Sequence, residues 1–311
     1  MHLARKLSSG AQRTIPVARE VSMSRIVFVN GEFVPYEEAR ISVMDRGFLF
    51  ADGIYEVAAV LGGRLVDNDA HLARLVRCLG EIGIENPYPV AEWAQLEEEL
   101  VKRNGLVEGL VYMEVTRGVW ERDFPFPPAD VKPTVVMFTQ EKSITGSKLA
   151  ESGAKVITVP DLRWKRRDIK SVALLAQVLA KQEAAKAGVS EAWMVEDGYV
   201  TEGGSSTAFI ITKDGCIVTR PLSNAILPGI TRQAVMRLAE EQGLTLEERL
   251  FTVEEALDAA EAFYTSASAF VMPTVEMDGK PIADGKPGPL TRRLRALYLD
   301  MAQATNSGKM G

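Results

Sequence analysis

The sequence predicts an α+β fold in two parts, with much of its sheet antiparallel. Three observations carry this expectation. Five turn dipeptides, Asn30–Gly31, Gly62–Gly63, Asp197–Gly198, Asp214–Gly215 and Asp278–Gly279, sit between short apolar or alternating runs and read as hairpins. Segments of helical period lie between those hairpins, which argues against a doubly wound parallel sheet. A polar stretch around Gln140 to Ser147, QEKSITGS, is the natural linker. The expected organisation is a disordered leader over 1–22, a smaller unit over 23–139, a linker over 140–148, a larger unit over 149–305 and a tail over 306–311.

Along the chain, IVFVNGEFV at 26–34 is the clearest hairpin, two strands about a turn that requires positive φ. A helix follows in which Asp69 is the expected N-cap, with Leu72, Leu75, Val76, Leu79 and Ile82 on one face and Gly83 as terminator. Residues 92–104 and 173–187 are helical by period, the second ending at Gly188 as a C-terminal glycine should. Helices are also expected at about 231–242, 253–259 and 289–304. The second of these opens on a capping box from Thr252 to Glu255.

Composition excludes several functions. Of 311 residues, 46% are apolar and 25% charged, ordinary for a globular chain, and the net charge of −6 leaves no global basic field for nucleic acid. The leader holds Arg5, Lys6, Arg13 and Arg19 against one acid, so the body is more acidic than the total suggests. With His2 and His71 the only histidines, a His-pair metal site is nearly excluded. Cys78 and Cys216 suit neither a disulfide scaffold nor a zinc cluster; they read as core fillers in a cytosolic, reduced protein. No apolar stretch approaches the roughly 18 residues of a membrane helix. MHLARKLSSGAQRTIPVAREVS has no apolar core and is not a secretory signal, so Met23 is expected to open the ordered chain. No GxGxxG follows a strand and no Walker loop is present.

Four segments of the second half mix glycine, hydroxyls or one ionisable group at an element boundary. Asp168-Ile169-Lys170-Ser171 precedes an apolar helix. A lysine there is ordinarily solvated, but one shielded by apolar neighbours becomes a Schiff-base nucleophile. Thr201-Glu202-Gly203-Gly204-Ser205-Ser206-Thr207 reads as a turn, or as a nest of N–H groups and hydroxyls for an anion. In that second reading Glu202 must face a positively charged part of the ligand. Leu227-Pro228-Gly229-Ile230-Thr231-Arg232 opens a helix, whose N-terminus favours phosphate. Tyr264-Thr265-Ser266-Ala267-Ser268 places hydroxyls at a strand end. Together the four describe one ligand with a phosphate, an aldehyde and a basic ring nitrogen, which is pyridoxal 5′-phosphate, although the spacing alone does not prove it.

From Ile26 to Leu297 the chain resembles the fold-type IV aminotransferases. The resemblance is carried by DRGFLFADGIYEV (45–57), HLARL (71–75), VYMEVTRG (111–118), DIKS (168–171), AKQEA (180–184), VTEGGSS (200–206), LPGITR (227–232) and YTSAS (264–268). VTRG followed by Arg122 points to the branch acting on D-amino acids; branched-chain aminotransferases, (R)-selective amine transaminases and aminodeoxychorismate lyases share the cofactor motifs, and a non-catalytic cofactor-binding protein is the alternative of another class.

The resemblance implies a small N-terminal α/β sandwich, a larger C-terminal pseudo-barrel with helices, and bound pyridoxal phosphate. It implies a ping-pong exchange between a D-amino acid such as D-alanine or D-glutamate and a 2-oxo acid, in a homodimer with the active site at the subunit interface. Residue by residue, Lys170 matches the Schiff-base lysine and Glu202 the carboxylate facing the pyridine nitrogen. Arg74 matches the phosphate-gripping arginine, beside Ile230, Thr231, Ser266 and Ala267, with Ser206 near the cofactor. Tyr55 lines the site, and Arg122, supplied by the neighbouring subunit, holds the substrate α-carboxylate. One departure stands out: the family's R-x-H pattern ends here in Phe124, so the carboxylate site lacks a donor. His71 is expected either to join buried carboxylates, with Glu56 and Glu191 as candidates, or to be a satisfied core histidine. Trp164-Lys165-Arg166-Arg167 reads as a solvated strand edge.

Overall fold

The computed structural model describes residues 25–304. The expected disordered leader over 1–22 and the tail over 306–311 lie outside the described residues. The first part contains β1 (Ile26–Val29), β2 (Glu32–Pro35), α1 (Arg46–Phe50), β3 (Gly53–Leu61), β4 (Arg64–Leu65), α2 (Asn68–Glu81), α3 (Val90–Arg103), β5 (Glu108–Thr116) and β6 (Thr134–Glu141). Its strands form an antiparallel sheet in the order β2-β1-β6-β5-β3-β4. The second part contains α4 (Lys148–Ser152), β7 (Ala154–Pro160), α5 (Leu175–Lys186), β8 (Glu191–Glu196), β9 (Tyr199–Gly203), β10 (Thr207–Ile211), β11 (Ile217–Thr219), α6 (Ile230–Glu241), β12 (Leu246–Glu248), α7 (Val253–Asp258), β13 (Glu261–Ser266), β14 (Phe270–Met277), β15 (Lys280–Pro281) and α8 (Pro289–Ala304). Its strand order is β12-β11-β10-β13-β14-β7-β8-β9, with β15 on β14.

Four of the five turn dipeptides close two-residue hairpins with both residues at positive φ: Asn30–Gly31, Gly62–Gly63, Asp197–Gly198 and Asp278–Gly279. That conformation matches the twist of the flanking strands, and Asn, Asp and Gly reach it at little cost. Asp214–Gly215 instead sits in a longer loop, which Thr212 closes by bonding to Cys216. The hairpin pattern did not reveal the parallel β7–α5–β8 crossover, in which Val156 to Pro160 pair with Glu191 to Val195.

The helix over 68–81 starts earlier than expected. Asp67 precedes it in the left-handed conformation, and its carboxylate accepts from the Tyr298 hydroxyl at 2.7 Å. Asp69 therefore lies in the first turn, where its charge suits the helix dipole, and does not cap. The Thr252 hydroxyl accepts from the Glu255 N–H at 3.1 Å, as the capping box predicts.

Alternation along β3 decides where the site lies. Ile54 and Val60 face the core beneath α2 and α3, with Leu72, Leu75, Trp93 and Leu100. Ala59 and Leu61 face the other way, into a second core shared with α6 and α8. Tyr55 and Val57 share that second face and border a cavity. The second sheet curls: Val200 N–H donates to Phe251 O at 3.1 Å and Tyr199 bridges Thr252, so β9 at one end of the strand order meets the chain beyond β12 at the other. β9 then turns directly into β10 through Gly204–Ser206, and this turn borders the same cavity.

Candidate active site

The cavity measures about 170 Å³ and collects residues remote in sequence. Tyr55, Arg74, Lys170, Glu202, Ser206, Ile230, Thr231, Ser266 and Ala267 all border it. Because β4 covers only the far end of β3, the start of that strand has a free edge, and the chain around Lys170 fills it. Tyr55 N–H donates to Lys170 O at 3.0 Å, Val172 N–H donates to Gly53 O at 3.1 Å, and Ile54 bridges Ser171. These bonds fix the lysine backbone, and its Nζ lies 4.0 Å from the centre of the Tyr55 ring.

Glu202 is 4% exposed at the end of β9. Burying a lone carboxylate costs several kcal/mol, so an ionised acid here needs partners. Arg163 supplies one, ion-paired to Glu202 Oε1, and the Leu227 N–H donates to both carboxylate oxygens at 3.2 Å. Burial pushes the Glu202 carboxyl up, and Arg163 and the Leu227 N–H oppose it without reversing the direction. Arg163 is itself anchored on Asp161, its Nη2 lying 2.6 Å from Oδ2, and Asp161 also meets Arg167 at 3.3 Å.

Arg74 reaches across from α2. Its guanidinium donates to Glu56 at 2.7 and 2.9 Å and to Pro228 O at 2.8 Å, next to the start of α6. His71 Nδ1 lies 2.9 Å from the same Glu56 carboxylate. Burial pushes the Glu56 carboxyl up, yet Arg74 and His71 hold it well below the usual carboxylate range. His71 thus joins one of its two candidate carboxylates. Glu191 takes Lys181 at 3.1 Å and the Ser206 hydroxyl at 3.1 Å instead.

Helix α6 begins at Gly229 without a side-chain cap, so the orphan N–H groups of its first turn are left to the cavity. A Cβ on Gly229 would lie 2.8 Å from Thr207 Oγ1, so a larger residue there would have to displace the Thr207 hydroxyl. Thr265 Oγ1, near the end of β13, is buried without a hydrogen-bond partner and borders the same space.

A family model described as amino-transferase class IV matches residues 53–277. The chain belongs to the class IV aminotransferases. It is 44% identical over 269 residues to a D-alanine aminotransferase of Staphylococcus aureus (strain N315), covering 86% of this chain and 95% of that one. A D-alanine aminotransferase of Bacillus licheniformis is 40% identical over 269 residues, with 86% and 94% covered. Among solved structures, a T.th. branched-chain amino acid aminotransferase with pyridoxamine 5′-phosphate superposes with a TM-score of 0.83 at 27% identity, covering 90% of this chain and 95% of that one.

Class IV aminotransferases use pyridoxal phosphate, and the cavity fits that group. An uncapped helix start, the Arg74 guanidinium and the orphaned Thr265 hydroxyl suit a phosphate, and a buried acid suits a protonated ring nitrogen.

Two expected residues are not brought to this chain's cavity. Arg122 stacks over Phe50 at 5.3 Å and Phe124 at 5.7 Å, and Phe124 is 75% exposed. The basic run is corrected in part: Lys165 is solvated, but Arg167 is 4% exposed and paired with Glu196 at 2.8 Å, and Arg166 bonds Asp168 at 3.0 Å. Cys78 is core, whereas Cys216 is only half-buried. Sequence reasoning passed over Arg163, and also Gln177, which borders the cavity with a partnerless Oε1. The Asp-x-Arg spacing at the end of β7 was the available signal.

Proposed function

We propose that this protein transfers the amino group of a D-amino acid to a 2-oxo acid, with Lys170 as the reacting base. The observation that carries this reading is the single cavity in which a lysine amine, a buried acid and a helix start all meet. The substrate class rests on relatives named D-alanine aminotransferases at 40–44% identity.

Arg74 would hold the phosphate with the N–H groups of Ile230 and Thr231 and the loop at Ser266 and Ala267; Ser206 supports the adjacent turn. Glu202, ion-paired with Arg163, would face the positive charge of the ring nitrogen. Pyridoxal phosphate supplies an aldehyde that captures amines and a ring that accepts the electron pair left at the substrate's α-carbon. Lys170 Nζ takes the α-proton as a base and returns a proton as an acid. The Tyr55 ring would hold the position of that amine. Arg122 would arrive from a second copy of the chain to hold the α-carboxylate, so the working unit is a homodimer with its site at the interface. The division at 140–148 between a unit over 23–139 and a unit over 149–305 belongs to this reading, as does a cytosolic location in keeping with two free cysteines.

The test is a half-reaction panel on the loaded enzyme, with D-alanine, D-glutamate, L-leucine and (R)-1-phenylethylamine, each watched for bleaching of the cofactor's visible band. D-amino acids should bleach it, and pyruvate or 2-oxoglutarate should restore it. Bleaching by L-leucine or the amine alone would overturn the substrate class. Lys170→Ala should lose both the lysine-dependent band and turnover, and wild-type turnover in that variant would end its assignment.

A further inference from the structure

We propose that Tyr298 and Arg295, buried on one face of α8, are positioning residues for the phosphate end of the cavity. The inference rests on the phosphate site proposed above and names what holds it in shape. That site draws on segments remote in sequence: α2, which carries Arg74, the start of α6 at Ile230 and Thr231, and the turn from β13 to β14 at Ser266 and Ala267. One phosphate can bond them all only if they are held in fixed register, because a donor out of place leaves a phosphate oxygen unmatched.

Helix α8 reaches each of these segments. The Tyr298 hydroxyl donates to Asp67 Oδ2 at 2.7 Å, at the entry to α2, and the side chain of Thr231 interacts with the same hydroxyl. Behind Thr231, Ala234, Val235 and Leu238 of α6 share one core with Leu294 and Tyr298. One turn before Tyr298, Arg295 donates to Ala269 O and Val271 O in and beyond the β13–β14 turn, both at 2.8 Å, and to Ile144 O at 2.8 Å. The helix is itself anchored on β13, its Leu290 and Thr291 N–H groups donating to Glu261 at 3.0 and 2.8 Å.

These contacts fall where the backbone needs support. Asp67 and Phe270 both have positive φ, at 54° and 58°, a region that a bulky residue such as Phe270 seldom enters. Such a conformation persists only where its surroundings over-determine it. Arg295 bonds the carbonyls on either side of Phe270, and the buried Phe270 ring packs on Tyr298 with centroids 4.8 Å apart. Among the described residues no acid forms an ion pair with Arg295, whose partners are carbonyls. Burying a cation without an acid costs stability, which core packing alone does not call for. Neither Tyr298 nor Arg295 borders the cavity, so both act through the segments they hold.

The test titrates the apoenzyme with pyridoxal phosphate and, separately, with pyridoxal, which lacks the phosphate, for wild type, Tyr298→Phe and Arg295→Lys. Tyr298→Phe removes only the hydroxyl and keeps a ring against Phe270. Its affinity for pyridoxal phosphate should fall about tenfold, the effect of a lost charge-assisted hydrogen bond, while its affinity for pyridoxal stays that of wild type. Arg295→Lys keeps the charge but cannot span the carbonyls, and it should show the same selective loss. Equal losses for the two ligands, or a fall in Tm with neither affinity changed, would make the pair a brace of the fold alone and overturn the proposal. If Tyr298→Phe does not fold, Arg295→Lys decides by the same outcomes. Wild type that binds pyridoxal phosphate no tighter than pyridoxal is a different result: it removes the phosphate site, and the inference with it.

Discussion

Glu202 and Glu97 are both buried glutamates, at 4% and 0% exposure, yet their surroundings differ. Glu202 faces a guanidinium and a backbone N–H at the wall of a cavity. Glu97 lies between α2 and α3 and receives one bond, from the Asn68 amide at 2.8 Å; its Oε1 has no partner. Burial, with Asn68 opposing and Glu56 and Glu98 adding to it, pushes the Glu97 carboxyl up to about 8. Burial pushes both carboxyls up; what differs is the opposition, a paired guanidinium and a backbone N–H at Glu202 against a single amide at Glu97. The cavity wall thus gives its buried acid a cationic partner, whereas the helix core gives its acid only a neutral one.

The largest effect should come from removing the arginine on the Glu202 side. Arg163→Gln leaves Glu202 with the Leu227 N–H alone, and its environment becomes like that of Glu97. Stripping one partner from a buried pair costs roughly 3–5 kcal/mol, and a protonated Glu202 no longer matches a cationic ring nitrogen. Titration of the apoenzyme with pyridoxal phosphate should show affinity lower by about a hundredfold, partly rescued by Arg163→Lys. Unchanged affinity with an unchanged pH profile of the bound cofactor's absorbance would show that Glu202 does not depend on Arg163.

The two glutamates also differ in how much of their surroundings the chain makes legible. Four hairpins were readable because Asn-Gly, Asp-Gly and Gly-Gly encode positive φ locally. The start of α6 was readable because Pro-Gly before a helical period marks a terminus, and the cavity residues around Lys170 and Glu202 were readable as motifs. Arg163 was not, because its partners Asp161 and Glu202 are separated by a long excursion that includes α5 and β8. Glu97 hides among Glu98 and Glu99. Only helical phase marks it as inward, four residues after buried Trp93 and three before buried Leu100. Local rules give turns and caps; the charge state of a site depends on contacts that only the fold creates.

On the Glu97 side, Glu97→Gln should stabilise the protein in a pH-dependent way. A carboxyl raised from 4.5 to about 8 contributes fully below pH 4.5, and that contribution is lost as pH rises through about 8. Gln keeps the Asn68 bond and does not ionise. The difference in Tm between variant and wild type should be near zero at pH 5 and should grow to the equivalent of about 2–4 kcal/mol by pH 9. A difference independent of pH would mean that Glu97 does not titrate in the folded state, and the contrast with Glu202 would vanish.

The smallest effect separates the amide from the charge. Asn68→Ala removes the donor, which favours the ionised form of Glu97 over the neutral one. Its cost should therefore be larger at pH 9 than at pH 5, with roughly 1–2 kcal/mol expected at pH 7. In a Glu97→Gln background there is no charge left for Asn68 to support, and the same substitution should cost the same at every pH. Thermal unfolding of the four proteins of this cycle at both pH values reads the coupling directly. Coupling that stays constant with pH would assign Asn68 a packing role only, since Asn68 Oδ1 is also buried without a partner and the side chain gains little else from its position.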